Sequence, residues 1–192
     1  MLDNSIITDK DVRDFIENGF VLRKCLREWG KTVAEANEYI QCDLIKYYLG
    51  NNVVSDVIND DGNGAGFDIY TNLKYKKIQS KLRQVDGKTP YSRQICFENT
   101  RRNSDKNVNN SLNGYTPYSI DEFDAVLVTL IHYKGRDKKE VRKNINNWNF
   151  SLIPVDELEN PQRKGYCINS ISSKLLDKYK LELKKDWEKL FK

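Results

Sequence analysis

Asp68, Gln79 and Lys81 are the residues of this chain whose types and spacing could do chemistry. Asp68 stands in Gly66-Phe67-Asp68-Ile69-Tyr70, and the stretch Tyr75 to Gln84 reads YKKIQSKLRQ. In the second run Ile78, Ser80 and Leu82 alternate with Lys77, Gln79, Lys81 and Arg83, so Gln79 and Lys81 project from one face of a strand. A turn between the runs places Asp68 on the adjacent strand. A carboxylate, an amide oxygen and an ammonium gathered in this way suit phosphodiester hydrolysis. The oxygens hold Mg²⁺, and the lysine steadies a hydroxide or the charge developing on the phosphoryl oxygens. The same Lys/Gln/Arg row is also what the wet face of an antiparallel strand looks like, and Asp after a Gly-rich turn is common. On residue types alone both readings stand.

The elements that must position these residues can be read from pattern. Thr32-Val33-Ala34-Glu35 forms a capping box, and Val33, Ala36, Ile40, Leu44 and Tyr47 share one face of a helix that ends at Gly50. Val53 to Ile58 reads as a strand and Asn59 to Gly64 as a turn that lacks the length and terminal glutamate of a calcium loop. Ala125 to Ile131 is an unbroken apolar or β-branched run, expected of a strand buried on both faces. His132, the only histidine, closes it and is either a general base or simply a packed strand end. Trp148 to Val155 is a further strand. Before this core, a helix begins at Thr8 and runs to Trp29. After it, Leu176, Tyr179, Leu183, Trp187 and Leu190 recur at helical intervals and predict a last helix.

A chain of 192 residues with 39% hydrophobic and 31% charged residues is expected to form one soluble domain with a substantial core. It contains no apolar run of membrane-span length, and MLDNSIITDK is unlike a signal peptide, so the expected location is cytoplasmic, with no membrane partner. Cys25, Cys42, Cys96 and Cys167 are scattered without a Cys-x-x-Cys pair, which argues for buried thiols over zinc ligands or a disulfide framework. The net charge of +4 permits a polyanionic partner without identifying one. The run Lys134, Arg136, Lys138, Lys139, Arg142 and Lys143 could follow a phosphate backbone or be a solvated turn. From Val85 to Ser119 the pattern is least regular. There Arg93, Arg101 and Arg102 interleave with Tyr91 and Phe97, the types that grip phosphates, although a polar surface loop has the same composition.

Over about Lys31 to Leu158, the order helix, strand, Gly-rich turn, Asp68, strand with Gln79-Ser80-Lys81 and buried strand Ala125 to Ile131 resembles the core of the PD-(D/E)XK nuclease superfamily. The resemblance implies an α/β fold, a restriction-endonuclease-like core with a mixed central β-sheet flanked by helices. It divides a single domain of 1–192 into an N-terminal helical extension at 1–30, a catalytic core at 31–158 and a C-terminal helical segment at 159–192. In that family an Asp opens the site on one strand, and an acidic residue, one spacer and Lys close it on the next. Asp68, Gln79 and Lys81 take these places. Phe67 stands where a proline is usual, and Gln79 replaces the usual Asp or Glu, as in branches that use Gln-x-Lys. A glutamate on the first core helix often completes the metal shell. Glu38 is the matching position, with an exposed helix-surface glutamate as its other reading and Asp43 as a competitor.

What the resemblance implies about function is a Mg²⁺-dependent DNA endonuclease. Asp68, Gln79 and Glu38 would hold the metal, Lys81 would activate or orient water, and Arg83, Arg93, Arg101 and Arg102 would contact phosphates of double-stranded DNA. The core and one long insertion use nearly the whole chain, leaving little for reading bases. The chain thus resembles the small catalytic subunit of heterodimeric type IIS restriction enzymes, in which a larger sequence-recognising subunit reads the site and cuts the other strand. Two alternatives remain: a structure-selective repair or junction nuclease, and an inactive DNA- or partner-binding module.

Overall fold

The computed structural model describes residues 33–50, 52–58, 66–85, 97, 98, 100–102, 115–133, 135–137, 141, 148–182 and 186–191. In chain order the elements are helix α1 (Val33–Leu49) and strands β1 (Ser55–Val57), β2 (Ile69–Thr71) and β3 (Lys77–Val85). Next come β4 (Phe97–Glu98), β5 (Thr100–Arg102), β6 (Tyr115–Pro117), β7 (Ala125–His132) and β8 (Trp148–Pro154). A 3-10 turn at Val155–Leu158 follows, then β9 (Glu159–Asn160), β10 (Arg163–Cys167) and β11 (Ser170–Ile171). The last elements are helix α2 (Ser173–Lys178), β12 (Lys180–Leu181) and helix α3 (Trp187–Phe191). The helix expected from Thr8 to Trp29, the cap at Thr32, the turn at 59–64, Cys25, Cys96, Arg93 and all of the basic run but Arg136 lie outside the described residues.

Six strands form one mixed sheet in the order β1-β2-β3-β7-β8-β12. Its centre is the parallel pair β3 and β7, in register from Ile78 opposite Ala125 to Val85 opposite His132, and every other pairing is antiparallel. Parallel neighbours need a long connection; the one between Val85 and Ala125 carries β4, β5 and β6. Ala125 to Ile131 are all buried because β7 is interior and both of its faces are covered. Ala125, Leu127 and Ile131 face one apolar cluster with α1 and α3. Val126, Val128 and Leu130 face another, built with Tyr118, Phe123, Leu158, Ile171 and Leu176. The chain therefore has an α/β architecture, a mixed sheet of six strands with helices on both faces.

Helix α1 ends where expected. Gly50 takes a left-handed φ of 98°, and its N–H closes the last turn on the Lys46 carbonyl at 3.0 Å. Of the expected stripe Ile40 and Leu44 are buried, but Tyr47 is 37% exposed, and Asn37, Gln41 and Ile45 join the inward face. Two amides lead a stripe that an apolar pattern alone cannot find. Both cysteines among the described residues, Cys42 and Cys167, are buried thiols, and burial pushes Cys42 up to about 12.

The C-terminal part corrects the sequence-based expectation of one helix across residues 176–190 in a helical segment. Ser172 caps α2 by accepting from the Leu175 N–H, and α2 stops at Tyr179. Lys180 and Leu181 then pair with Ser151 and Phe150 as an edge strand. Only after this does α3 form, with Trp187 stacked on Phe191 and on Tyr48 at centroid distances of 5.7 and 5.2 Å. Helical spacing of apolar residues was present, but Leu181, outside that spacing, gains more from a place in the sheet. Among the described residues no helix is long and apolar enough to cross a membrane.

Candidate active site

The site is assembled where β2 begins to leave β3. The Asp68 N–H donates to the Ile78 carbonyl at 3.0 Å, extending the β2–β3 ladder by one rung. Beyond that rung the side chain replaces the backbone: Asp68 Oδ2 accepts the Ser80 N–H at 2.8 Å and also the Gln79 Nε2–H. Alternation along β3 then decides who faces whom. Ile78, Ser80 and Leu82 turn toward α1, where Asn37 Nδ2 donates to Ser80 Oγ at 2.9 Å. Gln79, Lys81 and Arg83 turn to the other face. There Gln79 is only 4% exposed, which a wet strand face would not give. Lys81 Nζ donates to the hydroxyl of Tyr118 at 3.1 Å. Tyr118 is itself buried, edge-on to Phe123 at 5.6 Å.

Burial of the Asp68 carboxyl raises its pKa above the ordinary carboxylate value. The Ser80 N–H, the Lys81 charge and the Gln79 amide pull the other way without cancelling it. The result is a carboxylate held close to a lysine in a half-dry setting. Asp68 Oδ1 and Gln79 Oε1 accept no hydrogen bond among the described residues, so each has lone pairs to offer. A hard divalent cation is often held by one or two carboxylates, with substrate and water oxygens completing its shell. This donor set, one carboxylate and one amide oxygen, fits that use. Among the described residues no three His, Cys, Asp or Glu side chains cluster as a metal site.

The structure thus brings Asp68, Gln79 and Lys81 together. Glu38, half-buried, directly follows Asn37, and Asp43 lies further along α1, so both stand on the helix that covers the opposite face of β3. Arg83 is exposed, one alternation beyond Lys81. Arg101 and Arg102 lie on β5, opposite Thr116 and Tyr115, in a separate two-stranded ribbon. His132 ends β7 and accepts from Arg136 Nη2 at its carbonyl, 3.0 Å away. Tyr118 and Asn37, which hold Lys81 and Ser80, carried no signal in sequence, since both contacts join residues about forty positions apart. A separate cleft of about 490 Å³ opens between Lys74, Tyr75, Asp124 and Glu157. Two of the three acids lining it are engaged: Asp124 Oδ2 accepts the N–H groups of Lys76 and Lys77, and Glu157 holds Lys178 at 3.0 Å, with Asp156 the third.

No protein-family model matches the chain, and no curated protein matches it in sequence.

Proposed function

We propose that this chain is a Mg²⁺-dependent DNA endonuclease with a restriction-endonuclease-like core, the DNA-cleavage subunit of a heterodimeric type IIS restriction enzyme. The observation that carries the reading is the convergence of Asp68, Gln79 and Lys81 at the β2–β3 divergence, with a desolvated carboxylate beside an ammonium. Asp68 Oδ1 and Gln79 Oε1 would hold the ion, whose contribution when bound is Lewis acidity toward a phosphate oxygen. Ser80 keeps Asp68 turned to that position through its N–H. Lys81, held by the Tyr118 hydroxyl, donates to the attacking water and offsets the negative charge that accumulates as the phosphodiester is displaced. Arg83, on the same face, is placed to meet an adjoining phosphate. A larger subunit would supply base reading and the second cut.

One observation favours a second reading, a binding module without chemistry. Gln79 offers its amide N–H to Asp68, so the pair satisfies itself with a single negative charge and, among the described residues, no second carboxylate joins it. Asp68→Ala separates the two readings. If the site is hydrolytic, the Mg²⁺-dependent cut of this chain's strand is lost, so that the variant with the partner subunit only nicks, while DNA and partner binding persist. If the chain only binds, no cleavage depends on Asp68 at all.

A further inference from the structure

Phosphate recognition needs cations that are exposed, unpaired and held in place. The β9–β10 hairpin supplies two that are exposed and holds one of them, Arg163. Arg163 and Lys164 are exposed and make no ion pair among the described residues, unlike Lys178 with Glu157 at 3.0 Å. The Arg163 guanidinium lies over the Tyr166 ring with Cζ 4.0 Å from its centroid. A contact this close holds the guanidinium against the ring and restricts its position.

The hairpin is also rigid and well placed. Its turn is tied by the Gln162 N–H donating to Asn160 Oδ1 at 2.9 Å, and Gly165, at φ 81°, donates to Glu159 Oε1 at 3.1 Å. The Gly165 carbonyl accepts the Ile120 N–H at 3.1 Å. Tyr166 pairs with Ser119, and the Cys167 N–H donates to the Tyr118 carbonyl at 2.8 Å. Tyr118 is the residue that holds Lys81. One three-residue segment therefore carries both the hairpin and the partner of Lys81. The neighbouring carboxylates of Glu159 and Asp121 are engaged within this framework, Asp121 by the Ser119 hydroxyl at 2.8 Å.

We propose that the β9–β10 hairpin is a nucleic-acid backbone clamp beside the candidate active site: Arg163, stacked on Tyr166, and Lys164 take phosphates flanking the one at Lys81. The choice of nucleic acid rests on the nuclease reading above. Phosphate contacts of this kind add affinity without sequence preference, which suits a subunit whose partner reads the bases.

The test is fluorescence anisotropy of a short DNA duplex binding to the full chain, without divalent metal, over a salt series. Arg163→Ala/Lys164→Ala should weaken binding several-fold and flatten the slope of log affinity against log salt by roughly 0.9 for each phosphate no longer neutralised. Both residues are exposed, so the melting temperature should stay at the wild-type value. Tyr166→Leu should weaken binding with the slope unchanged, because the charge remains and only its mounting is removed; Arg163→Lys provides the same distinction while leaving the Tyr166 ring in place. Unchanged affinity and slope in the double variant, or no binding by the wild type at low salt, would overturn the clamp. Cleavage plays no part in this readout. Duplex binding that depends on Arg163 and Lys164, in a chain that never cuts with Mg²⁺ and partner, would sustain the clamp and remove the nuclease reading. The converse pair of results would do the opposite.

Discussion

The two faces of β3 show what different neighbours make of one strand. On one face Ile78 and Leu82 join α1, α3 and the aromatic group of Trp148, Phe150, Trp187 and Phe191 in a dry layer. Its polar groups are donors aimed at the sheet: Asn37 to Ser80, and Gln41 Nε2 to the Leu127 carbonyl and Thr129 Oγ1, both at 3.0 Å. The corresponding oxygens, Asn37 Oδ1 and Gln41 Oε1, are buried without a partner among the described residues. On the other face Gln79 and Lys81 tie to Asp68 and Tyr118 while, among the described residues, Asp68 Oδ1 and Gln79 Oε1 stay uncommitted. The first face holds the sheet together, and the second carries a charge that burial disfavours. Stability and candidate chemistry are thus divided across a single strand.

The sharpest way to break this division is on the first face. Trp187→Ala removes a ring that is 1% exposed and stacked between Tyr48 and Phe191, and should cost about 3–5 kcal/mol in chemical denaturation. Gln41→Ala strands the acceptors on Leu127 and Thr129 and should cost roughly 1–3 kcal/mol by the same measurement. Gln41→Met should cost less than Gln41→Ala, since it also removes the unpaired oxygen while keeping volume.

On the second face the sign should reverse. The folded-state pKa of Asp68 is raised, so between the ordinary carboxylate value of 3.8 and that raised value the folded state binds more protons than the unfolded one. Stability then falls as pH rises through this window, and the full cost of an ionised Asp68 is present above it. Asp68→Asn keeps an oxygen for the Ser80 N–H without the charge. Thermal melts should show it more stable than wild type near neutral pH, with the advantage fading as pH falls to the ordinary carboxylate value. Added Mg²⁺ should raise the wild-type melting temperature and leave that of Asp68→Asn unmoved. The smallest effect belongs to Arg83→Ala, an exposed residue whose removal should change stability by less than about 0.5 kcal/mol while weakening DNA binding.

Several features were legible in the amino-acid sequence alone. The run at 125–131 announced a strand covered on both faces, Gly50 marked the end of α1, and alternation in IQSKL put Gln79 and Lys81 on one side. Local periodicity carries that much because it reports which side of a strand or helix is dry. It does not report which distant residue answers across the fold, so Tyr118 at Lys81 and Asn37 at Ser80 were invisible. Nor does it separate one helix from a helix, a strand and a second helix, since Leu176, Tyr179 and Trp187 keep helical spacing across the strand at Lys180–Leu181. The amides of Asn37 and Gln41 hid the buried stripe of α1 for a related reason, since they lie inside by virtue of hydrogen bonds and not of apolarity.

The central claim, that the Asp68–Gln79–Lys81 face is a hydrolytic site cutting one strand, is tested most directly on supercoiled plasmid with Mg²⁺. Wild type and Lys81→Met would be compared alone and with lysate from a strain encoding the neighbouring genes. The expected result is little cutting by either protein alone, linear product from wild type with lysate, and only nicked circles from Lys81→Met with lysate, because the partner's cut survives. Linear product from Lys81→Met in the amount that wild type gives, or no Mg²⁺-dependent cutting by wild type under either condition, would contradict it.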